Sequence, residues 1–306
     1  MTAKNVHDVW NTFWDRQASQ PRGDSGLMST RWEGIDRVQR AAWKEFARSL
    51  PSRSRVLDLA TGDGRVMTHL LDARRDLKPL GIERAATVAQ APRGSKIRAG
   101  TEMENLPLPD NQFAAVASQF GFEYGDMPRI VGEVVRVLKP DGRFALMTHR
   151  LDGPIVAHNR KRRKELDWAL AQEGLIKLAR NSLGLRSAGI AALPPAVIAA
   201  PEKGAELFGR NSAASQLAEA IRQTLHLGRN DNPANVAGLL AKIEAKATNE
   251  LGRAASLETA AEAVSDRESM LAMLAGSGLE LQSEQQLTSD LSPAPFADFR
   301  IFRLNS

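Results

Sequence analysis

The chain has 306 residues, 42% hydrophobic and 25% charged, with a net charge of +5 and no cysteine. That length can bury a large core, and the lack of cysteine excludes disulfides, thiolate nucleophiles and thiolate metal sites. The five histidines are scattered without metal-ligand spacing, so no metal is expected.

Met1 to His7 lacks an apolar stretch of signal-peptide length, and no run approaches the ~18 apolar residues of a membrane span. A cytoplasmic location is the expectation. Val6, Trp10, Phe13 and Trp14 recur at helical spacing, giving a short helix over about residues 5–20 with one aromatic face. That face either packs on the domain or carries Phe13, Trp14 and Asp15 over a ligand. Gln20 to Gly26 is a loop by composition, and a second helix runs from about Trp32 to Ser49.

From Arg55 to Val66 a short apolar run passes into glycines and then into a helical pattern that continues to about Arg75. This reads as strand, tight turn, helix, with Val56, Leu57 and Leu59 suited to a buried parallel strand. Gly62 and Gly64 let the backbone approach a ligand, and the unpaired N–H groups of the helix start face the same place. Ala60, within the turn, is expected to hold a negative φ. Leu80 to Glu83 forms a second strand ending in a carboxylate, placed about 20 residues on, where such folds accept hydrogen bonds from a ribose diol. A third short strand precedes Gly100-Thr101-Glu102-Met103-Glu104-Asn105-Leu106-Pro107-Leu108-Pro109-Asp110.

At these residues the chain resembles the class I S-adenosylmethionine-dependent methyltransferases, whose motifs are close to VLDLGCGTG and GDAENLPFPD. The resemblance covers roughly residues 50–150 and returns at about 265–304. Ala60 stands where the family usually has its first glycine, and Ala114 where an aspartate is common. No P-loop signature is present, which argues against a nucleotide triphosphatase.

Phe113 to Gln119 reads as strand four, Pro128 to Leu138 as a helix with Ile130, Val131, Val134, Val135 and Leu138 toward the sheet, and Arg143 to His149 as strand five. Regular alternation implies a parallel sheet with helices on both faces. Residues 152–264 are then almost wholly helical by pattern, with Pro154 and Asp231-Asn232-Pro233 at helix starts. The apolar, proline-broken Gly189 to Pro201 is a packed connector, a lid wall or a dimer contact. Ser265-Asp266-Arg267-Glu268 is a capping-box pattern for a helix through Leu274, Leu279 to Leu281 begins strand six, and Phe299 to Leu304 is the last strand. The resemblance implies a doubly wound α/β fold with a seven-stranded sheet, the last strand antiparallel between five and six, and a long helical insertion between strands five and six. The expected division is residues 1–50 as helices covering the cofactor site, 51–151 plus 265–306 as the core, and 152–264 as a substrate lid.

The implied cofactor is S-adenosyl-L-methionine, with S-adenosyl-L-homocysteine as product. By resemblance Gly62, Asp63 and the neighbouring backbone approach its amino-acid portion, Glu83 takes the ribose, Glu102 and Met103 read the adenine, and Gln119 and Phe120 close strand four beside the sulfonium. Ala60, Thr61 and Arg84 complete this set, and Asp58 either orders the turn or touches the ligand. His149 is the candidate base, with Trp14, Glu123, Tyr124 and Arg150 on the acceptor side; His149, Glu123, Tyr124 and Arg150 each also read as a rim hydrogen-bonding group. Methyl transfer to oxygen or nitrogen of a small molecule is the expected function. The alternatives are an RNA or protein acceptor, suggested by the basic run His158 to Lys164, which otherwise is a solvated face, and a non-catalytic cofactor-binding partner protein. A homodimer is compatible with the apolar segment.

Overall fold

The computed structural model describes residues 10, 12–13, 33–185, 192–290 and 292–305. By its internal contacts the chain divides into a sheet unit within residues 10–157 and 257–306 and a helical unit within residues 158–256. Trp14, the loop at 20–26 and residues 189–191 of the apolar segment lie outside the described residues, as does most of the short helix expected over 5–20, of which Trp10, Thr12 and Phe13 are helical.

In chain order the sheet unit runs α1 (Glu33–Ser49), β1 (Arg55–Leu59), α2 (Arg65–Ala73), β2 (Lys78–Ile82), β3 (Lys96–Arg98), β4 (Phe113–Gln119), α3 (Met127–Val137) and β5 (Leu138–His149). Helices α4 (Pro154–Asp167), α5 (Leu175–Gly184), α6 (Pro195–Phe208), α7 (Ala213–Leu227) and α8 (Pro233–Ala263) follow, before α9 (Arg267–Gly276), β6 (Leu279–Ser289) and β7 (Ser292–Leu304). The sheet order is β3-β2-β1-β4-β5-β7-β6. Strands β1 to β5 pair in parallel, and β7 is antiparallel to both β5 and β6. The chain order reverses between β1 and β4, so the carboxyl ends of those strands flank a crevice where open α/β sheets bind ligands.

Alternation along the strands sends side chains into two cores. Leu57, Leu59, Val116, Phe144 and Leu146 pack with Ile130, Val131 and Val134 of α3 and Leu274 of α9. Val56, Ala115, Ala117, Ala145 and Met147 face the other way, against Trp43 and Phe46 of α1 and Val66 and Leu70 of α2. Short alanines in the central strands leave room for the fully buried Trp43.

Three local expectations are corrected. No helix joins β2 to β3 or β3 to β4 among the described residues, because Pro92 and Gly94 break the first connection and three turn-forming residues, Pro107, Pro109 and Asp110, the second. Helix α9 is capped by Asp266, whose side chain accepts from Ser269 N–H, not by Ser265, whose hydroxyl donates back to the Glu262 carbonyl. Strand β7 begins at Ser292 and pairs with β6 along most of its length, well before Phe299.

The helical unit has its own core, in which Leu175, Ile176 and Leu183 of α5 meet Val197 of α6, Leu217, Ile221 and Leu225 of α7 and Val236 and Leu240 of α8. Glu165 is buried there and accepts from Ala213 N–H at 2.7 Å, tying α4 to the start of α7.

Candidate functional site

The turn after β1 is built around a buried acid. Asp58 is 1% exposed, and its Oδ2 accepts the Thr61 hydroxyl while Oδ1 has no hydrogen-bond partner. Burial pushes the Asp58 carboxyl up to about 7, the nearby charges of Asp63 and Glu83 adding to the rise against the Thr61 hydrogen bond. Thr61 can sit so close because β2 presents Gly81, where a Cβ would lie 2.6 Å from the Thr61 methyl carbon. Oδ1 is itself buried, so Asp58 acts on the turn from within, and burial beside two other acids favours its neutral form.

Glu83, at the end of β2, closes the same turn. One carboxylate oxygen accepts Gly62 N–H at 2.9 Å and the other Ala85 N–H at 3.2 Å. Burial raises its pKa, and the donors from Ala85 and Gly62 oppose that rise. Each oxygen keeps a second lone pair, so two hydroxyl donors can be accepted without breaking either bond. Asp63 accepts Arg65 N–H at 3.1 Å. Farther out, Arg84 and Glu102 form an exposed ion pair at 3.2 Å, and Met103 packs against the core on the α3 side.

The backbone beside the crevice departs from one expectation. Ala60 has φ of +51°, not a negative value, and Phe120 on the facing strand end has φ of +55°. A non-glycine residue there costs about 1–2 kcal/mol. Gly121 leaves room for the Ala60 methyl, since a Cβ there would come 2.6 Å from it. Ser118 reinforces the junction, donating to the Leu59 carbonyl at 3.4 Å and accepting Phe122 N–H at 3.1 Å.

That hydroxyl also anchors a single 3-10 turn, Phe122–Tyr124, which carries Glu123. Glu123 is 3% exposed and His149 6%, so neither is a rim group. Glu123 Oε1 accepts the His149 backbone N–H at 3.0 Å and lies 2.9 Å from the ring Nδ1. A carboxylate only accepts, so Nδ1 carries the proton and Nε2 is left as the basic nitrogen. The Phe120 ring stacks on the imidazole at 4.0 Å, and Tyr124 meets it edge-on at 6.2 Å. Trp10 packs edge-on against Tyr124 at 5.4 Å and Phe13 against Trp10 at 5.7 Å, which carries the aromatic contacts from the N-terminal segment to His149.

Other expected residues are engaged elsewhere. The Gln119 amide accepts from the Trp43 indole and donates to Gln39, so α1 holds it. Arg150 is paired with Asp152 and Asp298. In the basic run, Lys161 faces Glu165 at 3.9 Å and Arg162 pairs with Glu250. A cleft of about 1020 Å³ opens at the amino ends of the strands, lined by Arg53, Arg55, Lys78, Lys139, Arg143 and Arg303 among others; it contains none of the crevice residues.

Sequence reasoning had no access to Ser118, Gly121 or the Glu123–His149 pairing. Only the glycine, two residues beyond the strand end, is a signal that could have been read.

A family model described as a methyltransferase domain matches residues 57–146. A demethylmenaquinone methyltransferase of Thermus thermophilus is 33% identical over 101 residues, covering 30% of this chain and 46% of that protein. A phthiotriol/phenolphthiotriol dimycocerosates methyltransferase of Mycobacterium leprae is 28% identical over 161 residues, covering 45% of this chain and 58% of its own length. The chain thus spans about half the length of these curated relatives. Among solved structures, the geranyl diphosphate C-methyltransferase of Streptomyces coelicolor is similar at 17% identity, covering 48% of this chain and 65% of that one with a TM-score of 0.36. Residues 57–146, within the seven-stranded sheet, are thus a methyltransferase domain of the class I S-adenosylmethionine-dependent kind.

Proposed function

We propose that the protein transfers a methyl group from S-adenosylmethionine to an oxygen or nitrogen of a small molecule, and that His149 removes the acceptor's proton. The observation that carries this reading is the buried Glu123–His149 dyad, with Nδ1 of the ring 2.9 Å from the carboxylate. Bound, the cofactor supplies an electrophilic methyl on a sulfonium that departs as a neutral thioether, so no acid is needed. Glu83 would accept the ribose hydroxyls on its free lone pairs, Asp58 would order the turn from within, and Glu102 with Met103 would take the adenine. His149 Nε2 takes the proton as the acceptor attacks, and Glu123 stabilises the imidazolium that forms. Phe120, Tyr124 and Trp10 exclude water, so that alignment, worth up to about 7–11 kcal/mol, does much of the catalysis.

Support for a small acceptor over RNA comes from the basic run, where Glu165 and Glu250 pair with Lys161 and Arg162. The test is incubation with methyl-labelled cofactor and a fractionated cell extract. Label in a small molecule, lost in His149→Ala, is the expected result. Label in RNA or protein overturns the acceptor class, and no transfer to any fraction favours a non-catalytic cofactor-binding protein.

A further inference from the structure

The helical unit has a surface that methyl transfer does not explain. Among the described residues the large hydrophobic side chains left exposed are Leu185, Ile198, Leu207, Leu227 and Leu239, 49–76% accessible, and all of them lie in this unit. Charge is uneven in the same way. Residues 158–256 hold 15 Lys and Arg against 9 Asp and Glu, a net of +6, while the rest of the chain stands at −1.

Three of the five hydrophobics, Ile198, Leu227 and Leu239, gather at one end. Helices α6 and α7 form an antiparallel hairpin, with Ser215 Oγ donating to the Pro201 carbonyl at 3.0 Å and Gly204 against the Ser215 backbone. The amino end of α6, with Ile198, therefore lies beside the carboxyl end of α7, with Leu227. Gly228 packs on Val236, where a Cβ would meet the valine at 2.8 Å, which brings the start of α8 and Leu239 to the same end. Leu207 sits at the far end of the hairpin. Around Ile198, positions 192–201 contain no charged residue, and Pro195, Ala196 and Ala199 are exposed. Flanking them, Arg229 and Lys242 are exposed, with Asp231 as the nearby acid.

We propose that this end of the helical unit docks on the surface of an anionic lipid bilayer. Apolar tips that enter the headgroup boundary, ringed by unneutralised cations, are what interfacial binding needs. No described helix is long and apolar enough to cross a membrane, so the contact is with the surface. A second copy fits less well, because a two-fold contact would set Arg229 and Lys242 against their own images. A negatively charged sheet of headgroups instead complements the +6 of the unit.

The test is flotation of the full chain with vesicles of phosphatidylcholine alone or mixed with phosphatidylglycerol. Binding to the anionic vesicles, weakened by salt, is expected. The triple variant Ile198→Gln, Leu227→Gln, Leu239→Gln should lower vesicle affinity by about tenfold or more, and Arg229→Gln or Lys242→Gln by about fivefold each. Leu207→Gln should bind as the parent does. All these side chains are exposed, so the melting temperatures should not change. No binding to either vesicle, or equal binding by the triple variant, overturns the proposal. So does a dimer in sedimentation equilibrium that the triple variant dissolves, which would assign the surface to a second copy.

Discussion

Exchanging the residues at positions 60 and 121 tests how the crevice is shaped. Gly121 has φ of −128°, so alanine is acceptable to the backbone there and any penalty comes from its Cβ, placed 2.6 Å from that of Ala60. Relieving such an overlap by strain should cost about 1–3 kcal/mol in Gly121→Ala. Ala60→Gly removes a left-handed conformation worth about 1–2 kcal/mol but loosens the unfolded chain by about 0.5–1 kcal/mol. The net is a gain of up to about 1.5 kcal/mol. In the double variant the methyl moves across the gap and the overlap is gone, so the pair should couple by about 1–3 kcal/mol instead of adding. Because the chain has two units, the readout is hydrogen exchange of the β1 and β4 amides, which reports opening of the sheet unit itself. Additivity of the two single changes within about 0.5 kcal/mol would refute the steric account.

Glu83→Ala should weaken S-adenosylhomocysteine binding about tenfold or more by calorimetry, since hydrogen bonds to a charged acceptor are each worth about 1.5–3 kcal/mol; unchanged affinity in a folded variant would remove Glu83 from the site. Glu123→Gln should slow methyl transfer about 30–1000-fold and leave that affinity within about twofold, because the dyad's charges, about 4 Å apart at an effective dielectric near 20, interact by about 4 kcal/mol. Equal losses in both would make Glu123 a structural residue. His69, buried with neither ring nitrogen bonded, is lowered to about 4 by burial, so its stabilisation is full above about 6.5 and is lost as pH falls toward 4. Asp58, raised to about 7, acts in the opposite sense, stabilising below its ordinary range and losing that as pH rises through 7. The two slopes offset between pH 4 and 6.5. His69→Leu should therefore make urea stability fall with rising pH there and Asp58→Asn should make it rise; parallel profiles in both variants would contradict the burial account.

What the sequence disclosed and what it withheld divide along a physical line. Strands β1, β2, β4 and β5 were legible because each contains a short apolar run, whereas the polar stretches of β6 and the start of β7 gave no such signal. The position of Glu83 was legible because it follows the end of β2 about 20 residues after the glycine turn. The sign of φ at Ala60 was not, because alanine prefers a negative value in isolation and the glycine that leaves room for its methyl, Gly121, lies 61 positions away beyond the end of β4.

The same reasoning explains the dyad. Glu123 and His149 are 26 residues apart, on a three-residue turn and a strand end, and no spacing rule joins such elements. Their meeting follows from pairing between neighbouring strands: β4 and β5 align Gln119 with Met147, and Phe120 N–H extends the ladder to the Met147 carbonyl at 2.9 Å. That bond ends the strand with Phe120 in the left-handed region, and Ser118 then turns the chain back so that Glu123 faces the residue two beyond Met147. Register thus places a carboxylate against an imidazole that propensity alone would leave on the rim. Loss of the Ser118 hydroxyl should accordingly disturb His149 while leaving the glycine turn intact. In Ser118→Ala, methyl transfer should fall several-fold with S-adenosylhomocysteine affinity held, and a variant that lost both together would show that the two halves of the crevice are one structure.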